Sequence, residues 1–230
     1  MSPPRSTERL VAELVDALEP VRPLPALRWQ LAALAGAWLF TAAGVAAWHG
    51  LHPAVVLGRS SASAGVAAGM ALLAVSGLAG ALALRLPGRE RLAAVAAAGG
   101  VLSLGVLLAV WIGVLGTSLA VTFRPAEDLR CLANASLFSL PPGVLAGMLA
   151  VRAVAWRPLA TGFALALGAC AGGALLAHLA CLSDEPWHWL FAHALGPMVV
   201  GVAIGAALCR LLERQRRRAA AAAEPGVSDR

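Results

Sequence analysis

Residues 85–116, RLPGRERLAAVAAAGGVLSLGVLLAVWIGVLG, place three arginines directly before a long apolar stretch. At about 1.5 Å per residue, a helix over residues 92–116 is long enough to cross the roughly 30 Å hydrocarbon core of a bilayer. A backbone inside lipid satisfies its own hydrogen bonds only as a helix or a closed barrel, and a run without alternation favours the helix. This stretch therefore predicts a transmembrane α-helix with a basic flank.

Five further stretches share this length and apolar character. In chain order the six stretches are residues 31–48, 62–84, 92–116, 131–151, 159–178 and 187–209. Apolar residues make up 60% of the chain, which agrees with a protein that lies mostly in lipid. We therefore predict an all-α, polytopic membrane protein with six transmembrane helices.

The arginines predict how these helices are oriented. Most of them lie in the N-terminal tail, the second and fourth loops and the C-terminal tail, whereas the odd-numbered loops hold only Arg59, Arg124 and Arg130. Because positive charge favours the cytoplasmic side, we expect both termini to be cytoplasmic. The arginines that give the chain its high pI thus orient helices, and we expect no direct contact with nucleic acid.

Composition divides the chain into three parts. Residues 1–28 form a polar cytoplasmic tail, residues 29–211 form the six-helix transmembrane domain, and residues 212–230 form a basic and then alanine-rich cytoplasmic tail that we expect to be disordered. All twelve acidic residues are expected in tails or loops. An ion-coupled transporter usually keeps charge at mid-depth, so this distribution argues against one.

Four cysteines occur, and two of them are expected at the outer ends of neighbouring helices. Helices four and five are joined by a short turn near residues 153–157, so they predict an antiparallel hairpin. Cys131 and Cys181 lie at similar distances from that turn, so both thiols should reach one outer level, where they could meet or share a ligand. The chain has no CxxC spacing, which weakens the interpretation as a thiol oxidoreductase.

Further metal-ligand side chains surround these two cysteines in the sequence. The candidate metal ligands are Cys131, Cys181, His178, His188 and His193. Thiolates and imidazoles together suit a soft or borderline metal ion, although the spacing matches no standard zinc motif. The alternative is an interfacial belt of tryptophans and histidines around Trp187 and Trp189. A bound metal ion is thus the one candidate cofactor.

An amphipathic helix is predicted in the N-terminal tail. Its apolar stripe consists of Leu10, Val11, Leu14, Val15 and Leu18. The opposite face is mainly acidic, with Glu13 and Asp16 among its side chains, whereas a helix that lies on anionic lipid usually carries lysine and arginine. We expect this helix to dock in a groove on a basic protein. The alternative is that it packs beneath the basic loops of its own bundle.

The order of these features resembles the NrsF family of membrane anti-sigma factors. The resemblance rests on the striped tail, the PVRPL segment at residues 20–24, six helices, the DLRC segment at residues 128–131, and Cys181 followed by an acidic stretch with Trp and His. It implies a protein without enzymatic activity in the bacterial inner membrane. It further implies that the tail binds an extracytoplasmic-function sigma factor and releases it under heavy-metal or oxidative stress, with Cys131 and Cys181 as the sensor thiols. A thiol-based membrane oxidoreductase and a small membrane transporter remain the alternatives.

Overall fold

The computed structural model describes residues 25–86, 88–117, 124–152 and 157–223. Its helices are α1 (Leu27–His49), α2 (Pro53–Arg59), α3 (Ser61–Ala83), α4 (Glu90–Thr117), α5 (Pro125–Val151), α6 (Pro158–Ala180), α7 (Pro186–His188) and α8 (Gly196–Ala223), with a π-helical segment (Trp189–Leu195) between the last two. Six helical spans in the described part are long and apolar enough to cross a membrane, and these ranges contain no strand. The predicted six-helix, all-α fold is confirmed.

Two sequence predictions fall outside the described residues. They are the amphipathic helix with Leu10, Val11, Leu14, Val15 and Leu18, and the turn over residues 153–156. We call the end of the bundle that carries Cys131 and Cys181 the outer end and the opposite end the inner end, following the arginine pattern.

The fourth span begins earlier than its hydropathy predicted. Helix α5 starts at Pro125 rather than at residue 131, because its first turn contains Pro125 together with Glu127 and Asp128. Proline is preorganised for the first helical position, and carboxylates near a helix N-terminus interact favourably with its dipole. The cysteine therefore lies in the second turn, one turn after Asp128.

Helix α6 lies at the centre of the bundle and contacts its neighbours through small residues. Gly168 approaches the backbone of α3 so closely that a Cβ there would lie 2.8 Å from the amide nitrogen of Leu78. Gly173 faces α5 in the same way, where a Cβ would lie 2.7 Å from the amide nitrogen of Ser139. Small residues that let backbones approach are the usual means of helix packing in lipid. As a result α5 and α6 are held together along their outer halves.

The peripheral helices face outward with large apolar side chains. On α4, Val95, Val101 and Ile112 are more than half exposed, as expected for a surface in contact with lipid tails. Helix α4 packs chiefly on α3, where a Cβ at Gly69 would lie 2.7 Å from the side chain of Leu107. The structure thus consists of a tightly packed centre, formed by α3 and α6, with more exposed helices around it.

Candidate functional site

A cluster of two thiols and two imidazoles lies at the outer end of the bundle. It consists of Cys131, Cys181, His188 and His193, and we call it the thiol–imidazole cluster. One candidate donor atom from each side chain lies within 4.8 Å of those of the other three. Both histidines are buried and both cysteines are partly exposed. Four of the five residues predicted as metal ligands are therefore brought together.

The two cysteines come from the outer ends of α5 and α6. Cys131 lies in the second turn of α5, and Cys181 ends α6, where its backbone N–H donates to the carbonyl of His178 at 3.2 Å. Neither cysteine is in a disulfide, and the two thiols form a hydrogen bond with each other. This hydrogen bond from Cys131 is the largest cause that lowers the pKa of Cys181, and a further hydrogen bond from His188 acts in the same direction. Cys181 is thus the thiol that loses its proton first.

The π-helical segment brings the two histidines onto one face. In an α-helix, residues five apart point about 140° away from each other, so His188 and His193 would diverge. A π-helix instead pairs residue i with i+5. Here the N–H of Gly196 donates to the carbonyl of Phe191, five residues earlier, and the two imidazole centroids lie 5.1 Å apart. The sequence gives no clear signal for this π-helical segment. A regular α-helix over the same residues would direct one of the two imidazole rings away from the cluster.

Asp128 fixes the orientation of His188. Its Oδ1 lies 2.5 Å from His188 Nδ1, and its Oδ2 accepts the backbone N–H of Arg124 at 3.1 Å. The other ring nitrogen, Nε2, then faces the sulfur of Cys181 at 3.4 Å. The expectation that every carboxylate lies in a tail or loop is wrong for Asp128, which is buried in the first turn of α5. Its spacing of three residues from Cys131 places both on one helix face, a signal present in the sequence.

His193 is the most deeply buried member of the cluster. Its side chain is 0% exposed, and neither ring nitrogen has a hydrogen-bond partner of regular geometry; its one polar contact, with the thiol of Cys181, helps to lower the pKa of that thiol. Desolvation of a polar group without a partner is costly, so such groups are rare in the interior of folded proteins. A buried imidazole in this state, beside two thiols and a second imidazole, is placed to accept a ligand.

His178 lies next to the cluster but faces another partner. Its Nε2 lies 3.1 Å from both the hydroxyl and the carbonyl oxygen of Ser63, and its ring packs edge-on against His193 with centroids 5.3 Å apart. His178 therefore lies next to the four candidate ligands but is not one of them.

Trp187 and Trp189 are buried rather than exposed at an interface, and the indole N–H of Trp189 donates to the carbonyl of Ser183 at 2.8 Å.

A second buried polar group lies at the inner end of the same helix α5. The guanidinium of Arg85, just beyond α3, donates to the carbonyl of Leu149 and to the side-chain oxygen of Gln30. The amide nitrogen of Gln30 in turn donates to the carbonyl of Pro25 at 2.6 Å. Both side chains are almost fully buried, and we call this set the Arg85 clasp. It joins α5 to the start of α1, where the chain enters the bundle from the N-terminal tail.

Comparison with known proteins identifies a family that covers most of the chain. The model of the NrsF family, described as negative regulator of sigma F, matches residues 14–214. No curated protein and no solved structure matches the chain.

Proposed function

Because the chain belongs to the NrsF family, the negative regulators of sigma F, we propose that it is an anti-sigma factor of the bacterial inner membrane. It holds an extracytoplasmic-function sigma factor through its cytoplasmic tail and keeps it from RNA polymerase. It releases that sigma factor when a heavy metal or an oxidant reaches Cys131 and Cys181. The family match supports a regulatory role rather than an enzymatic one, and the six apolar helices support a membrane location.

The tail supplies the proposed binding surface for the sigma factor. Its apolar stripe, formed by Leu10, Val11, Leu14, Val15 and Leu18, is opposed by an acidic face. Burial of such a stripe in a groove provides most of the binding free energy, and acidic side chains at its edge favour a basic partner. The matched region begins at residue 14, so it includes part of this stripe.

The observation that carries the sensing proposal is the hydrogen-bonded pair Cys131 and Cys181 between the outer ends of α5 and α6. A lowered pKa makes Cys181 the better nucleophile and metal ligand of the pair, because the thiolate is the reactive form. Oxidation would join the two sulfurs, release two protons and pass two electrons to the oxidant. Metal binding would replace the thiol protons instead. Either reaction changes the preferred distance between α5 and α6.

Helix α5 offers a route from the thiols to the tail. From Cys131 to Leu149 it extends about 27 Å at 1.5 Å per residue, and its inner end is bonded to the Arg85 clasp. The clasp also holds Gln30 and Pro25, which lie where the tail joins α1. A shift of α5 against α6 would therefore alter the contacts that fix where the tail leaves the bundle.

Copurification from native membranes tests the tail's role. Replacement of Leu14 and Leu18 by Asp should abolish recovery of the sigma factor with the tagged protein, because charge in an apolar interface is costly. Ala12→Asp adds one aspartate on the polar side of the predicted helix and serves as the control, with recovery expected to be unchanged. Unchanged recovery with the double Asp variant would remove this helix from the proposed mechanism.

A further inference from the structure

We propose that Cys131, Cys181, His188 and His193 form a tetrahedral site for one divalent metal ion of the Zn²⁺ class, with Asp128 as its positioning residue. This inference rests on the proposed function in one respect: it names the class of metal ion that would bind the same pair of thiols. The site itself stands on the geometry of its donors, on the burial of His193 and on the contact between Asp128 and His188.

The four donor atoms are already close to the spacing that such an ion requires. Bond lengths of about 2.0–2.3 Å in a tetrahedron place neighbouring donors about 3.3–3.8 Å apart. Cys181 Sγ and His188 Nε2 are separated by 3.4 Å, and no pair in the cluster exceeds 4.8 Å. Small rotations of the side chains would close the site around an ion. The backbone of α5, α6 and the π-helical segment need not move far.

His193 provides an independent reason to place an ion here. It is fully buried, and its ring nitrogens have no hydrogen bond of regular geometry, only a contact with the thiol of Cys181, itself a proposed ligand. A bond from one nitrogen to a metal ion would offset part of that desolvation cost. The π-helical segment that carries it is itself an uncommon local geometry, of a kind often found at functional sites.

Asp128 completes the arrangement in the way that metal-bound histidines usually require. Metal-ligating imidazoles commonly donate their second N–H to a carboxylate, which fixes the tautomer and the ring orientation. The 2.5 Å contact between Asp128 Oδ1 and His188 Nδ1 leaves Nε2 as the ring nitrogen that faces Cys181 and that would bind the ion. The backbone N–H of Arg124 holds the second oxygen of Asp128. The carboxylate is thereby restrained before an ion arrives.

The donor set also selects the class of ion. Two thiolates and two neutral imidazoles balance the charge of a divalent cation, so the ion and its four ligands are together neutral in a poorly hydrated environment. Sulfur and nitrogen ligands suit Zn²⁺, Co²⁺ and Cd²⁺ and disfavour Mg²⁺ and Ca²⁺, which prefer oxygen. Each ion that binds displaces the remaining thiol protons to solvent, so affinity should fall as the pH falls.

Cobalt binding to the purified full-length protein tests this site. In detergent and under reducing conditions, Co²⁺ should bind with a stoichiometry of one per chain and give tetrahedral ligand-field bands with a sulfur-to-cobalt charge-transfer band. Joint Cys131→Ser and Cys181→Ser should remove the charge-transfer band, while Cys170→Ser and Cys209→Ser should leave it unchanged. His193→Gln should weaken binding and shift the ligand-field bands. An absent band in the parent protein, or one that survives the double Ser change, overturns the site.

The role of Asp128 has its own readout. Asp128→Asn should lower the affinity for Co²⁺ by 10- to 100-fold at unchanged stoichiometry, and Asp128→Glu should restore part of it. A melting temperature of the metal-free variants separates this effect from a loss of folding. An affinity unchanged in Asp128→Asn overturns the positioning role. Sigma-factor copurification is scored on the same preparations, so a protein that retains the sigma factor without binding Co²⁺ refutes the metal site alone.

Discussion

The two ends of helix α5 carry buried polar groups of opposite character. At the outer end, Asp128 orients His188 of the thiol–imidazole cluster and Cys131 belongs to that cluster, whose side chains are of the types that exchange protons, bind metal ions or become oxidised. At the inner end, Leu149 accepts from Arg85, a guanidinium that remains charged at any relevant pH. The outer set can therefore change its chemical state, whereas the inner set holds one.

This difference indicates how a signal could pass along a single continuous helix. If the thiol–imidazole cluster changes state and displaces the outer end of α5, the inner end of α5 must keep its contacts. A displacement is transmitted only through contacts that persist. The Arg85 clasp meets that requirement, because it bonds α5 to Gln30 and, through Gln30, to Pro25. The following changes break or refine this comparison, in order of decreasing effect.

Separation of α5 from α6 should disturb both ends of α5, the thiol–imidazole cluster and the Arg85 clasp. Gly173→Leu would place a side chain against the backbone of α5, where even a Cβ would lie 2.7 Å from the amide nitrogen of Ser139. Backbone atoms cannot move aside cheaply, so we expect a loss of about 3 kcal/mol or more in the free energy of unfolding. Thermal unfolding in detergent measures it.

The matched control is Gly147→Ala on α5. A Cβ at this position would have nothing within 4 Å, and alanine favours a helix more than glycine does, so its melting temperature should equal or slightly exceed that of the parent protein. Equal melting temperatures for Gly173→Leu and Gly147→Ala would show that the close contact between α5 and α6 does not hold the two helices together.

Loss of the clasp should act on the inner end alone. Arg85→Met keeps an apolar stem but leaves Gln30 and the carbonyl of Leu149 without their donor, so we expect a loss of about 2 kcal/mol. The thiol–imidazole cluster should keep its reactivity, while sigma-factor retention should decrease. Arg89→Met, at an exposed position nearby, is the control and should change neither property. A full retention of the sigma factor by Arg85→Met would contradict the role of the clasp in positioning the tail.

A smaller effect is expected in the chemistry of the two thiols. The hydrogen bond from Cys131 lowers the pKa of Cys181, so its thiolate persists at neutral pH and is lost only when the pH falls through that lowered value. In metal-free protein, the alkylation rate of Cys181 should therefore stay nearly constant between about pH 8 and 6, whereas an ordinary thiol slows about tenfold per unit below its pKa.

Mass spectrometry of alkylated peptides across this pH range provides the measurement. Cys131→Ala removes the donor and should restore a steep pH dependence at Cys181, while Cys209→Ala should not. A steep profile in the parent protein would show that the pair is not coupled as described.

The sequence predicts the bundle well because hydropathy and helix length decide it. All six spans were found, and the paired thiols of Cys131 and Cys181 followed from the hairpin of α5 and α6. The start of α5 was missed because Glu127 and Asp128 interrupt an apolar pattern while favouring a helix N-terminus. The rest of the site depends on tertiary geometry. His188 and His193 come together only because of the π-helical segment, and His178 contacts Ser63 only because α3 packs on α6.

The central claim is that Cys131 and Cys181 control release of a sigma factor held at the membrane. The most direct measurement is the amount of sigma factor that copurifies with the tagged protein from cells before and after exposure to Cd²⁺ or a thiol oxidant. The parent protein should lose its sigma factor on exposure. The joint Cys131→Ser and Cys181→Ser variant, at equal protein level, should retain it, because serine preserves the volume but loses the redox chemistry and most of the soft-metal affinity. Release from the double variant with the same dose dependence as the parent would contradict the account.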